Sequence, residues 1–150
     1  MKNIFVLSAL GFSCGLPYML VFSTLSAWLR DAGAALTVIG FISWAAITYS
    51  LKFLWSPFVD RIKMPLNQAV GQRRSWILMM QLLILILIMM MSQFDPISSL
   101  NFIVITAVLI AFFGSLQDIA VDAYRIELVS LDEQGNLAAS YQFGYCLLYT

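Results

Sequence analysis

Residues 52–76 read KFLWSPFVDRIKMPLNQAVGQRRSW, and the reading of this stretch decides the fold. Six of the sixteen charged side chains fall inside it: Lys52, Asp60, Arg61, Lys63, Arg73 and Arg74. Strongly apolar sequence lies on both sides. A short basic loop between two long apolar runs is the pattern of a connection between membrane-spanning helices, and its charge fixes the side on which it lies.

Composition supports that reading. The chain has 150 residues, of which 61% are hydrophobic and 11% charged, against about 45–50% and about 25% in soluble domains. The expected partner is the lipid bilayer. No basic arm or patch stands outside the loop, so no nucleic acid is expected. There is no histidine, which removes imidazole catalysis, ligation and proton relay together. Cys14 and Cys146 lie far apart in apolar sequence and read as small packing residues, so neither a metal nor a cofactor is expected. With no nucleophile elbow and no metal-spaced cluster, the chain does not read as an enzyme.

A helix crossing a hydrocarbon core of about 30 Å needs about 20 apolar residues. Four segments qualify, at about 4–26, 38–58, 76–94 and 100–120, and a fifth begins near 137 and runs to 150. The first contains Gly, Pro and aromatics and lacks a small-x-small cleavage site, so it reads as a retained helix rather than a signal peptide. Lys2, Arg61, Lys63, Arg73 and Arg74 fall on one side, with Arg125 at its margin; Arg30 falls on the other. The positive-inside rule then places the N-terminus and the basic loop in the cytoplasm. Trp28, Trp55, Trp76 and Tyr124 sit near span ends, where an aromatic belt would place them. The expected fold is an all-α integral membrane bundle with four complete spans and part of a fifth.

Three features exceed what spanning requires. Gly11-x-x-x-Gly15 lets another helix approach, and Pro17 removes a backbone hydrogen bond and is expected to bend the helix. This suits either close packing or a cavity-lining helix. Lys52 lies about 9 Å before the cytoplasmic end of the second span at 1.5 Å per residue. It can snorkel or pair with an acid inside the bundle. The strongest is QDIAVDAYRIE at 117–127. At 100° per residue, Gly114, Asp118, Asp122 and Arg125 fall within about 40° of one line, a polar stripe that must face protein or water. Glu127 points the other way. Asp118 lies at the depth of Lys52, and the two are expected to be neighbours, either as a structural ion pair or as a charge site that changes during transport.

Asp60-Arg61 followed by Gly71-x-Arg73-Arg74 resembles the cytoplasmic loop between the second and third helices of the major facilitator superfamily, with nine residues between Arg61 and Gly71 in place of the family's single one. GFSCGLP at 11–17, AWLRDAG at 27–33, LKFLWSPFVDR at 51–61 and QDIAVDAYRIE at 117–127 together resemble the AmpG-type muropeptide permeases. The regions around LKFLWSP and QDIAVDA are also similar to acetyl-CoA transporters. The first resemblance implies proton-coupled import of anhydro-muropeptides across the inner membrane of Gram-negative bacteria, for cell-wall recycling. It implies Asp118 and Asp122 as coupling or gating acids, Lys52 and Arg125 as their partners, and Asp60, Arg61, Gly71, Arg73 and Arg74 as the gate loop. Gly11, Gly15, Pro17 and Gln117 would line the cavity or the close packing. It also implies a two-halved permease of at least twelve helices, of which this chain is the N-terminal part, with the peptidoglycan fragment as substrate once the other half is supplied. The alternatives are a non-transporting remnant or split-gene piece, and an acetyl-CoA transporter-like protein.

Overall fold

The computed structural model describes residues 2–62, 71–128 and 133–148, with Lys2 and Asn3 as backbone only. Lys63 and Asp132, charged residues of two expected loops, lie outside the described residues. Every regular element among the described residues is a helix. Helix α1 (Lys2–Met19) passes through one π turn (Leu20–Thr24) into α2 (Leu25–Asp31). Next come α3 (Leu36–Ser43), α4 (Ala46–Ser50) and α5 (Lys52–Arg61), then α6 (Gln72–Met91), α7 (Leu100–Leu128) and α8 (Gln134–Cys146).

Three of these rods are long and apolar enough to cross a bilayer: Ile4–Asp31, Gln72–Met91 and Leu100–Leu128, with mean hydropathies of 1.9, 2.0 and 2.1. The first and last outrun the expected spans. The second expected span is not one straight helix. Leu36–Ser50 and Lys52–Arg61 meet at 53°, and together they make a fourth candidate crossing. The cause lies in the local sequence. Ser43 Oγ donates to the Ile39 carbonyl, Thr48 Oγ1 to Ala45 and Ser50 Oγ to Ala46, the back-bonding that loosens and bends helices. Leu51 sits at φ −91°, ψ 12°, outside helical geometry. Pro57, six residues later, has no N–H to offer the Phe53 carbonyl. By contrast, Pro17 lies inside α1 without ending it, and the irregularity on that rod is the π turn that follows.

Turns close where the residues dictate. Gly71 opens α6 at φ 92°, a conformation that needs glycine, and its carbonyl takes both the backbone N–H and the hydroxyl of Ser75. Asp95 turns the chain into α7, accepting from the N–H groups of Ser98 and Ile97. Those bonds, the Ser98 N–H and hydroxyl foremost, hold its carboxyl below the usual carboxylate range. Their contribution is therefore full above the ordinary carboxylate pKa of about 3.9 and fades as pH falls through the lowered value.

Helix α1 packs along α8, α6 along α7, and α5 against α7. The α1–α8 contact is nearly backbone to backbone. A Cβ on Gly144 would strike the Ser8 carbonyl, and one on Gly11 the Tyr141 carbonyl. Ser8 Oγ donates to the Ser140 carbonyl at 3.0 Å. On the outer surface Phe5, Leu36, Trp44, Phe53, Leu82 and Met89 are exposed, an apolar shell that suits lipid and not water. Trp76, expected in the aromatic belt, instead turns inward, and its indole N–H donates to the Ile62 carbonyl at 3.2 Å. Gly144→Ala should lower the thermal midpoint in detergent by the equivalent of about 1–3 kcal/mol of overpacking. Gly40→Ala, whose new methyl meets nothing within 4 Å, should leave the midpoint unchanged or slightly raised.

Candidate functional site

The bend ahead of α5 makes Lys52 the first residue of a new helix axis, directed toward α7. Its ammonium lies 2.9 Å from Asp118 Oδ2 and 3.2 Å from Asp122 Oδ2. The two acids stand one turn apart on α7, as their spacing requires, so one ammonium reaches both. Asp122 Oδ1 also meets the Arg125 guanidinium at 3.6 Å. The remaining oxygen of Asp118 accepts a hydrogen bond from the Tyr141 hydroxyl on α8. The Arg125 guanidinium lies 5.7 Å from the centre of the Tyr141 ring. The contacts therefore close a ring, Lys52–Asp118–Tyr141–Arg125–Asp122, drawn from three helices and carrying no net charge.

Neutrality and closure explain how ionisable groups persist here. A lone charge at the bilayer centre costs about 2.5–3.5 kcal/mol on insertion scales. Here each formal charge has an opposite one within hydrogen-bond or near-contact range. The acids are also unevenly screened: the side chain of Asp118 is 17% exposed and that of Asp122 34%.

Next to the ring is an uncharged polar knot. Gln117, 1% exposed, donates to Ser13 Oγ at 3.3 Å and approaches Cys14 Sγ at 3.5 Å. Gln81 donates to the same Ser13 oxygen at 2.8 Å. Three rods thus share one serine. Gly15 and Pro17 are closely approached: a Cβ on Gly15 would lie 2.6 Å from Leu148, and Pro17 lies against Gly114.

A second cluster sits at the loop end of the bundle. Arg73 bridges Asp60 at the end of α5 and Glu127 at the end of α7, the latter at 2.9 Å from its Nε. Gln72 donates to the Asp60 carbonyl at 2.9 Å. Arg74 lies over the Tyr124 ring and donates to its hydroxyl at 3.1 Å. Arg61 is exposed and takes no part in these contacts. The stripe and Lys52 were readable from spacing and depth. Tyr141, Glu127 and Gln81 were not. Each meets its partner through a tertiary contact that no local period encodes, and the only local hint for Tyr141 was its place on the face that Gly144 brings against α1.

The profile of the acetyl-coenzyme A transporter 1 family matches residues 3–150. The chain is 39% identical over 142 residues to a protein of Escherichia coli K12 named anhydromuropeptide permease, covering 95% of this chain and 28% of that protein. It is 37% identical over 143 residues to a Rickettsia felis protein named putative transporter AmpG 4, covering 95% of this chain and 34% of that one. A Haemophilus influenzae protein without an assigned function is 39% identical over 134 residues, 89% of this chain and 31% of its own length. The chain thus spans about a third of the length of the curated relatives it matches. No solved structure matches it.

Lys52→Met leaves two acids facing one arginine and should cost about 2 kcal/mol of stability in detergent, a figure kept low because the Lys52 side chain is 41% exposed. Adding Asp118→Asn restores neutrality and should recover part of that loss. If the double variant melts no higher than Lys52→Met alone, charge balance is not what holds the ring.

Proposed function

The chain belongs to the acetyl-coenzyme A transporter 1 family, and from that premise we propose that it forms the N-terminal part of a proton-coupled permease importing anhydro-muropeptides across the inner membrane. The observation that carries the substrate class is the 39% identity, over nearly the whole chain, to the protein named anhydromuropeptide permease. In this reading the rods form the N-terminal bundle of a major facilitator, with four spans and part of a fifth. The N-terminus and the Asp60–Arg73–Glu127 clasp lie in the cytoplasm, as the Lys and Arg distribution favours. The remaining length of the relatives supplies the other half, and the peptidoglycan fragment binds between the halves.

The neutral ring supports a reading of the chemistry. Asp118 and Asp122 are the acids whose charge changes during the cycle, and Lys52 and Arg125 are the counter-ions that hold them when ionised. Asp60, Arg73 and Glu127 tie the second, third and fourth rods at the cytoplasmic end, where a gate must open and reclose. Arg61, Gly71 and Arg74 complete that loop. A second reading, a carrier of acetyl-coenzyme A, is favoured by the family's own description. Both ligands are large and anionic, so uptake assays must separate them.

Cells expressing the protein at the full length of its relatives should accumulate labelled anhydro-muropeptide, and collapse of the proton gradient should cut uptake to background. Asp118→Asn leaves one cation in excess and should lower assembly somewhat, yet lose at least about tenfold in uptake per assembled molecule. Accumulation of acetyl-coenzyme A in place of the muropeptide would select the second reading, and uptake of neither would overturn the transport assignment.

A further inference from the structure

Lys52, Ser56 and Asp60 recur every four residues on α5. Successive members are therefore about 40° apart and share one face. The ring uses the first of them and the clasp uses the last. Ser56 belongs to neither.

The face they share opens onto a groove of about 290 Å³ between α5 and α7, open on one side and walled also by Phe53, Ile119 and Ile126. Lys52 and Asp122 line one end of it, Asp60 and Arg73 the other, with Ser56 on the α5 wall and Ala123 on the α7 wall. The groove thus runs between the two charge clusters, a continuity that neither cluster reveals alone. Exposure climbs along the same direction, from 17% at the Asp118 side chain to 34% at Asp122 and 51% at Asp60. Charged groups at both ends and a hydroxyl between them offer partners that lipid chains cannot satisfy and water can. At about 30 Å³ per molecule the space admits several waters.

We infer that this groove is a water-filled access route from the clasp end of the bundle to the Lys52–Asp122 pair, with Ser56 at its midpoint. Its occupants are water and the protons that water carries, not a lipid or a substrate. The route rests on the proposed orientation for its side, the cytoplasm, and it does not depend on which solute is transported. It gives the ring a hydrated approach along α5 and α7. Asp122, the more exposed acid of the ring, is the one it reaches, while Asp118 stays behind Lys52 and the Tyr141 hydroxyl.

The test is thiol accessibility in membrane vesicles from cells expressing the protein, in a background with Cys14→Ala and Cys146→Ser. Ser56→Cys and Ala123→Cys report from the two walls. Leu54→Cys, about 200° around α5 from Ser56 and exposed on the apolar surface, is the lipid-facing control. A charged, membrane-impermeant methanethiosulfonate should label Ser56→Cys and Ala123→Cys at least about tenfold faster than Leu54→Cys in inside-out vesicles, and slowly in right-side-out vesicles. Labelling of both reporters no faster than the control overturns the route. Labelling only from the right-side-out face overturns its direction. Because no substrate is present, a failed route and a failed uptake assay are distinguishable outcomes. Two reporters on different helices keep the test decisive if one of them misfolds.

Discussion

A single ammonium held between two carboxylates sets the terms for the rest of the molecule. Lys52 sits in sequence that is apolar on every side, and an unpaired lysine there would be expelled to the interface or would distort the bundle. Two acids one turn apart on α7 give it a place to stay. Two acids against one lysine would leave an excess charge, and Arg125 offsets it from the same helix. The Tyr141 hydroxyl satisfies the acceptor that remains. Each participant therefore answers a deficit left by the one before it, and the helices must lie where those answers can be given. The bend before α5 and the close approach of α8 to α1, each with its own local cause, put them there.

The loop-end clasp obeys a different rule. Its members are more exposed, so no single ion pair there is worth much. Its value lies in connectivity. One guanidinium engages carboxylates from two other rods at once, a task for which the branched arginine head is suited and a lysine is not. Three helix ends are tied without being cemented. Exposed pairs of this kind suit the proposed gate, because they can part and reform at lower cost than buried ones.

Periodicity made the α7 stripe legible, because a membrane helix converts spacing into direction with little ambiguity. Depth made the Lys52–Asp118 encounter legible, because two rods running the same way share a common ruler. The helical class itself followed from composition. The bend at Leu51 was not foreseen, since it arises from several hydroxyls back-bonding within one short segment while the apolar run continues through it. Nor was the course of α1 past Pro17, which was expected to bend the rod. Its neighbour Ser13 is engaged by Gln81 and Gln117, and the irregularity falls later, in a π turn whose residues carry no sequence mark. Tyr141 escaped notice because its importance comes entirely from what stands opposite.

The glycine contact between α1 and α8 also bears on how the protein is made. Ser8 meets Ser140 across a sequence separation of 132 residues, and Tyr141 closes the ring from the same helix. During synthesis the first rod leaves the ribosome with its Gly11 face bare. It stays bare until the last described helix emerges, while Asp118 waits for its hydroxyl donor over the same interval. Nascent chains halted before Gln134 would hold a ring with one acceptor unfilled and a glycine groove open to lipid. Closure of the ring and of the glycine contact thus waits on α8, whatever chain follows it.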